Sequence, residues 1–149
     1  MYCNQNNIKM TIQEIHSYLK SHDIRPLPHK VVIMQYLRIN NIHPTIEQIY
    51  NDLLPIMPTL SKTTVYNTLK LFNEKKVVNV LYIDEKQVRF DGHTEVIHAH
   101  FRCKKCGTIF NVPIEESEIA PFRGAKTLYP DETHVYFFGL CDDCIEHPV

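Results

Sequence analysis

SKTTVYNTLKLFNEKK, residues 61–76, and VVNVLYIDEKQVRF, residues 77–90, change their hydrophobic period where they meet. In the first stretch Val65, Leu69 and Phe72 recur at i, i+4 and i+7, the spacing of a helix with one apolar face. In the second, the β-rich runs Val77 to Ile83 and Gln87 to Phe90 flank the polar turn Asp84-Glu85-Lys86, which predicts a hairpin. Upstream, Thr11 and Glu14 read as a capping box for a first helix carrying Ile12, Ile15 and Leu19, running to about residue 22. Pro28 opens a second helix, with Val32, Ile33, Tyr36 and Leu37 as its apolar face, ending near Asn40 and Asn41. A third follows Pro44, with Thr45 and Gln48 as its capping box and Ile46, Ile49 and Leu53 inward, until Pro55. Short helices closed by a hairpin are the order of a winged helix-turn-helix, assigned to residues 1–90.

A helix that reads the major groove needs adaptable polar side chains on its outer face and a route to the phosphates. On the helix from Ser61, Lys62 and Lys70 suit phosphate contact, while Thr63, Tyr66 and Asn67 can meet base edges. Lys86 and Arg89 on the hairpin extend the candidate DNA surface. The competing reading is a solvated helix face. Residues 1–90 carry 11 Lys and Arg against 7 Asp and Glu, and residues 91–149 carry 5 against 10, which suggests that only the first part meets a polyanion but also lies within the ordinary scatter of a globular domain, so charge alone does not decide.

Beyond a hinge at 91–94 the pattern turns to strands at Val96 to Arg102, Thr108 to Ile114 and Val135 to Leu140, with a short helix around Glu115 to Phe122. Two Cys-x-x-Cys pairs, Cys103 with Cys106 and Cys141 with Cys144, sit at strand ends. Four thiolates at about 2.3 Å close a tetrahedral zinc site and leave no position for a substrate, so this zinc is structural. Cys3 falls outside the pattern and reads as a surface thiol.

His98 and His100 alternate on one strand, so both rings face the same way, and Asp91 precedes them at the hinge. Mixed nitrogen and oxygen donors suit Fe(II), Mn(II), Co(II) or Zn(II), held less tightly than by four thiolates. His93 is near them but reads as a linker residue. The overall class is α+β, in 149 residues of ordinary globular composition, 44% hydrophobic. The longest apolar runs are far too short for a membrane span, and MYCNQNNIKM lacks a signal peptide's apolar stretch, which predicts a cytoplasmic protein with no membrane partner.

Taken in order, His43-Pro44-Thr45, Thr64-Val65-Tyr66-Asn67-Thr68-Leu69, Val88-Arg89-Phe90-Asp91-Gly92, the run His98 to Gly107 (HAHFRCKKCG) and the run Gly139 to Cys144 (GLCDDC) resemble the ferric uptake regulator family over roughly residues 11–145. The resemblance implies a homodimeric, metal-responsive repressor that binds a palindromic operator, with residues 95–149 as its small α/β dimerisation and metal-binding domain. It implies a regulatory Fe(II) or Mn(II) held by His43, Asp91, His98 and His100, with Asn111 as a possible further donor. In peroxide-sensing members, histidines at the positions of His43 and His98 gain oxygen and release the metal.

Peroxide-sensing members use aspartate at the position of Asp91 and usually again at that of Asn111, whereas iron-sensing members favour glutamate at both. An accessory metal site of iron sensors is broken here, because Ile97 and Ala99 stand where it would have a histidine and an aspartate, leaving Glu118 and His134 without them. Peroxide sensing through the regulatory iron is therefore the expected activity, with an iron-responsive or other divalent-metal-responsive repressor as the alternative. A non-haem metalloenzyme finds little support: there is no His-Glu-x-x-His helix, and no nucleophile or general base stands beside the candidate ligands. A zinc-stabilised interaction module is the third reading.

Overall fold

The computed structural model describes residues 10–39, 43–124 and 129–146. Cys3, and the expected end of the second helix at Asn40 and Asn41, lie outside the described residues. The chain divides into two compact units, Met1–Thr94 and Glu95–Val149.

In the first unit, helices α1 (Ile12–Ser21), α2 (Pro28–Ile39), α3 (Ile46–Leu53) and α4 (Lys62–Glu74) precede an antiparallel pair, β1 (Asn79–Leu81) and β2 (Arg89–Asp91). Both expected capping boxes form, Thr11 with Glu14 and Thr45 with Gln48, and Ser61 caps α4 by accepting the Thr64 N–H at 3.1 Å. Val65, Leu69 and Phe72 are fully buried, joining Ile15, Leu19, Met34 and Ile49 in one core. Ile12, by contrast, is exposed.

The apolar face of α2 differs from the expected one. Val31, Ile33, Met34 and Leu37 are buried, while Val32 and Tyr36 lie at the margin. Tyr36 stands there because its hydroxyl donates to Asp52 on α3 at 2.7 Å, and burial together with that carboxylate raises its pKa.

The strands are shorter than the expected hairpin runs, because α4 takes the first residues. Lys76 adopts φ +59°, Val77 N–H reaches back to the Phe72 carbonyl and Lys76 N–H to that of Asn73. This six-to-one closure is a Schellman ending, with the buried Val77 against the last turn. The same ending closes α1 through Asp23 at φ +58°, with Ile24 N–H bonded to the Leu19 carbonyl.

Gly92, just after β2, sits where a Cβ would lie 2.8 Å from Leu37 Cβ and 3.2 Å from the Leu37 carbonyl oxygen. Because backbone as well as side chain is in the way, Gly92→Ala should cost about 1–3 kcal/mol, read as a lower urea midpoint. An unchanged midpoint would refute this packing.

The second unit holds β3 (His98–Cys103), β4 (Ile109–Pro113) and β5 (Tyr136–Gly139) in the order β4-β3-β5, with β3 antiparallel to β4 and parallel to β5. The expected helix at 115–122 is α5 (Glu116–Ile119) followed by a 3-10 turn at Ala120–Arg123. Pro121 cannot donate the next i→i−4 bond, so the tighter turn takes over. A further short helix, α6 (Asp142–Glu146), starts on Asp142 and Asp143, acidic residues that favour a helix N-terminus. Among the described residues of this unit few apolar side chains are buried; Ala99, Cys103, Ile109 and Ile119 are. Phe110, Phe137, Phe138 and Leu140 are exposed. No helix among the described residues is long and apolar enough to cross a membrane.

Candidate metal centres and nucleic-acid face

The knuckle between β3 and β4 is shaped by Gly107, at φ +76°, whose N–H bonds the Cys103 carbonyl at 3.0 Å. It turns Cys106 back toward Cys103. On the other side, Cys144 and Ile145 N–H bond the Cys141 carbonyl at 3.0 Å as α6 begins. The Sγ atoms of Cys103, Cys106, Cys141 and Cys144 consequently all lie within 4.8 Å of one another. N–H groups of Cys106 and Cys141 hold the Cys103 thiol down at about 6, and the Thr108 hydroxyl and N–H lower Cys106. Cys144 is pushed the other way, to about 12, by burial and then by the neighbouring thiols. Four crowded sulfurs cannot all ionise without a cation among them, and a divalent soft-to-borderline ion removes that conflict. The set fits a structural zinc with every position filled by thiolate.

Each unit carries further donors of its own. In the first, His43 and Asp91 are each about 2% exposed, with ligand atoms within 4.8 Å of one another. His43 adopts φ +48°, an uncommon left-handed conformation for a non-glycine residue directly before proline. Such strain persists where the surroundings impose it. Here the Phe90 N–H bonds the Pro44 carbonyl at 3.0 Å, and Arg89 Nη1 donates to the His43 carbonyl at 3.4 Å. Asp91 Oδ1 accepts the His93 N–H at 2.9 Å and lies 3.4 Å from His93 Nδ1. His93, read from sequence as a linker, therefore orients the carboxylate.

In the second unit His98 and His100 share one face of β3, their ring centroids 4.7 Å apart and their ligand atoms within 4.8 Å. His98 Nδ1 lies 2.9 Å from the Val96 carbonyl. Donation there fixes the tautomer and leaves the lone pair on Nε2, the usual arrangement of a metal-binding imidazole. His100 is buried and pairs across the sheet with Asn111 on β4 and Tyr136 on β5. Asn111 Oδ1 is buried and meets no hydrogen-bond donor among the described residues. An acceptor left so costs about 1–3 kcal/mol unless something cationic meets it. Two imidazoles and an amide oxygen on this sheet, like the imidazole and the carboxylate of the first unit, are donors that borderline divalent ions accept.

On α4, Lys62, Thr63, Tyr66, Asn67 and Lys70 are all exposed, as the sequence period required. Lys62 Nζ lies 2.7 Å from Glu47 on α3, a pair more than half exposed and hence weak. Lys86 is exposed at the hairpin turn, its N–H bonded to Asp84 Oδ1 at 3.0 Å. Arg89, the other hairpin candidate, has its Nη2 2.9 Å from Asp84 Oδ2 and a side chain 20% exposed. Glu118 accepts the Glu115 N–H at 2.7 Å, and His134 lies between Glu132 and the Tyr136 hydroxyl, 3.3 Å from each.

The ferric uptake regulator family model matches residues 21–126, across both units. The chain belongs to the ferric uptake regulator family. Within that family it is 33% identical over 144 residues to the peroxide-responsive repressor PerR of Staphylococcus epidermidis, covering 94% of each chain. The ferric uptake regulator of Helicobacter pylori has the same fold, with a TM-score of 0.70, 19% identity and coverage of 95% of this chain and 98% of that one. PerR from Streptococcus pyogenes aligns with a TM-score of 0.50 at 28% identity, covering 89% and 92%. Members of the ferric uptake regulator family are metal-dependent transcriptional regulators, and the two donor groups described above fit that class.

Proposed function

We propose that this chain is a repressor that binds a palindromic operator as a homodimer, under the control of one divalent ion, Fe(II) or Mn(II), and that hydrogen peroxide releases it. The observation that carries the reading is the donor set: buried His43 and Asp91 in the first unit, His98 and His100 on one face of β3 in the second. Seven positions separate Asp91 from His98 along the chain. An ion that takes ligands from both units favours one arrangement of them, and so of the helices that read DNA. Its effect on operator affinity equals its preference for that arrangement.

Lys62, Thr63, Tyr66, Asn67 and Lys70 on α4, with Lys86 on the hairpin, form the DNA face in this reading. The homodimer is supported by the second unit's exposed aromatics. Phe101 pairs with Phe110 and Phe137 across the sheet, so the three side chains share one face, and a 55-residue unit with so small a core gains stability by covering it. Action on DNA places the protein in the cytoplasm.

Iron(II), held by these residues, would supply the electron that breaks the O–O bond of peroxide. The chain's own part is to hold the imidazoles of His43 and His98 where that chemistry occurs and to lose donor strength when either ring gains an oxygen atom. The similarity to peroxide-responsive repressors and the aspartate at 91 support this reading. Asn111 favours a second one, a metal-responsive repressor without the peroxide step, because its neutral oxygen brings one negative charge fewer to the iron.

Peptide mass spectrometry separates them. The Fe(II)-loaded, zinc-replete protein after a brief dose of hydrogen peroxide should gain oxygen at His43 or His98, and the Mn(II)-loaded protein should not. Intact histidines in the iron sample, with metal-dependent DNA binding preserved, would replace peroxide sensing by metal sensing.

A further inference from the structure

We infer that Arg89 is a positioning residue: it holds the His43 loop in the shape that binds metal and ties that loop to the turn of the hairpin, instead of contacting DNA. This rests on the reading of His43 as a metal ligand. Three parts of the first unit meet at one guanidinium. Nη2 and Nε donate to Asp84 Oδ2 at 2.9 and 3.2 Å, at the hairpin turn. Nη1 donates to the His43 carbonyl at 3.4 Å and to Gln48 Oε1 at 3.3 Å.

Each partner already has a second task. Asp84 Oδ1 accepts the Lys86 N–H and so closes the turn. Gln48 Oε1 accepts the Thr45 N–H and so caps α3. The His43 carbonyl belongs to the residue in the left-handed conformation. Arg89 therefore joins the hairpin turn, the start of α3 and the strained ligand residue. It sits on β2 two residues from Asp91, so the element that carries one proposed ligand also braces the other.

The Arg89 and Asp84 side chains are only 20% and 9% exposed, too enclosed for an idle surface pair. A lysine could keep the charge but has one compact ammonium and no planar fork, so it cannot serve three directions at once.

The test compares the unaltered full chain with Arg89→Lys and Asp84→Asn, all zinc-replete, by Mn(II) titration without DNA, following free Mn(II) by electron paramagnetic resonance. Loss of a residue that orients a ligand should weaken Mn(II) binding by about tenfold or more. Arg89→Lys should do so, and Asp84→Asn, which cuts the far end of the brace without touching His43, should weaken it in the same direction. The slope of log affinity against log salt for a mixed-sequence duplex should be unchanged in both, whereas a lost phosphate contact lowers it by about one. Mn(II) affinity within about twofold of the unaltered protein in both variants overturns the inference, whatever their DNA binding. Failure of the unaltered chain to take up Mn(II) beyond its zinc overturns the metal-control reading, and this inference with it.

Discussion

Cys106→Ser is expected to empty the zinc site and unfold the end of the second unit built on it. The four Sγ atoms lie within 4.8 Å of one another, and a hydroxyl does not ionise near neutral pH to replace a lost thiolate. Cys106 is exposed, so the substitution opens no cavity, and any loss of stability comes from the metal. That loss is large because zinc binding is folding energy here: structural sites in small peptides are worth about 10–16 kcal/mol at pH 7. With so few buried apolar side chains among its described residues, the second unit relies on the metal to hold β3, β5 and α6 together. Metal analysis should find zinc near zero in the variant against one per chain, with a collapse in the melting temperature of that unit. Zinc retained at one per chain would show that the Cys106 thiolate is not one of its required ligands. Acidification should release zinc too, since protons compete for the same thiolates.

Asp91→Asn should abolish the response to metal while leaving zinc and fold in place. The substitution keeps shape and an oxygen able to accept the His93 N–H, now at 2.9 Å, but removes the only carboxylate of the proposed regulatory set. Residues that merely orient ligands cost about 10–100-fold in metal affinity when changed, and the loss of a charged ligand should exceed that. The metal-free variant should keep its fold, because the amide oxygen still accepts the His93 N–H at the same place. Mn(II) titration and operator binding measured together would check this. Unchanged metal dependence would remove Asp91 from the site.

Local sequence signals carried most of the fold because they act over a few residues. Thr11, Thr45 and Ser61 cap their helices, and Val65, Leu69 and Phe72 face the core. Features that depend on an unusual backbone conformation or on distant residues were less legible. The ending of α4 needs Lys76 in a left-handed conformation, which no composition rule suggests for lysine, and that ending shortened the hairpin. Tyr36 left the apolar face of α2 because Asp52, on another helix, draws its hydroxyl.

For the site, the two Cys-x-x-Cys pairs and the alternation of His98 and His100 were direct statements about geometry. His43 was different: nothing in the spacing of a lone histidine before a proline marks it, and only family resemblance raised it. The structure adds the left-handed φ and the bracing at its carbonyl. Charge on a hairpin looks the same in sequence whichever way it points, so the hydrogen bonds of Arg89 were not legible there. Its commitment to Asp84 is a property of the folded turn.

The most direct test of metal control is fluorescence anisotropy of the zinc-replete chain with a duplex taken from upstream of its own gene, before and after Mn(II). A coupling of the usual size predicts that Mn(II) tightens binding by about 5–150-fold and that a chelator too weak to remove zinc reverses it. Affinity that is the same with and without Mn(II), on a duplex the protein protects in footprinting, would contradict the account.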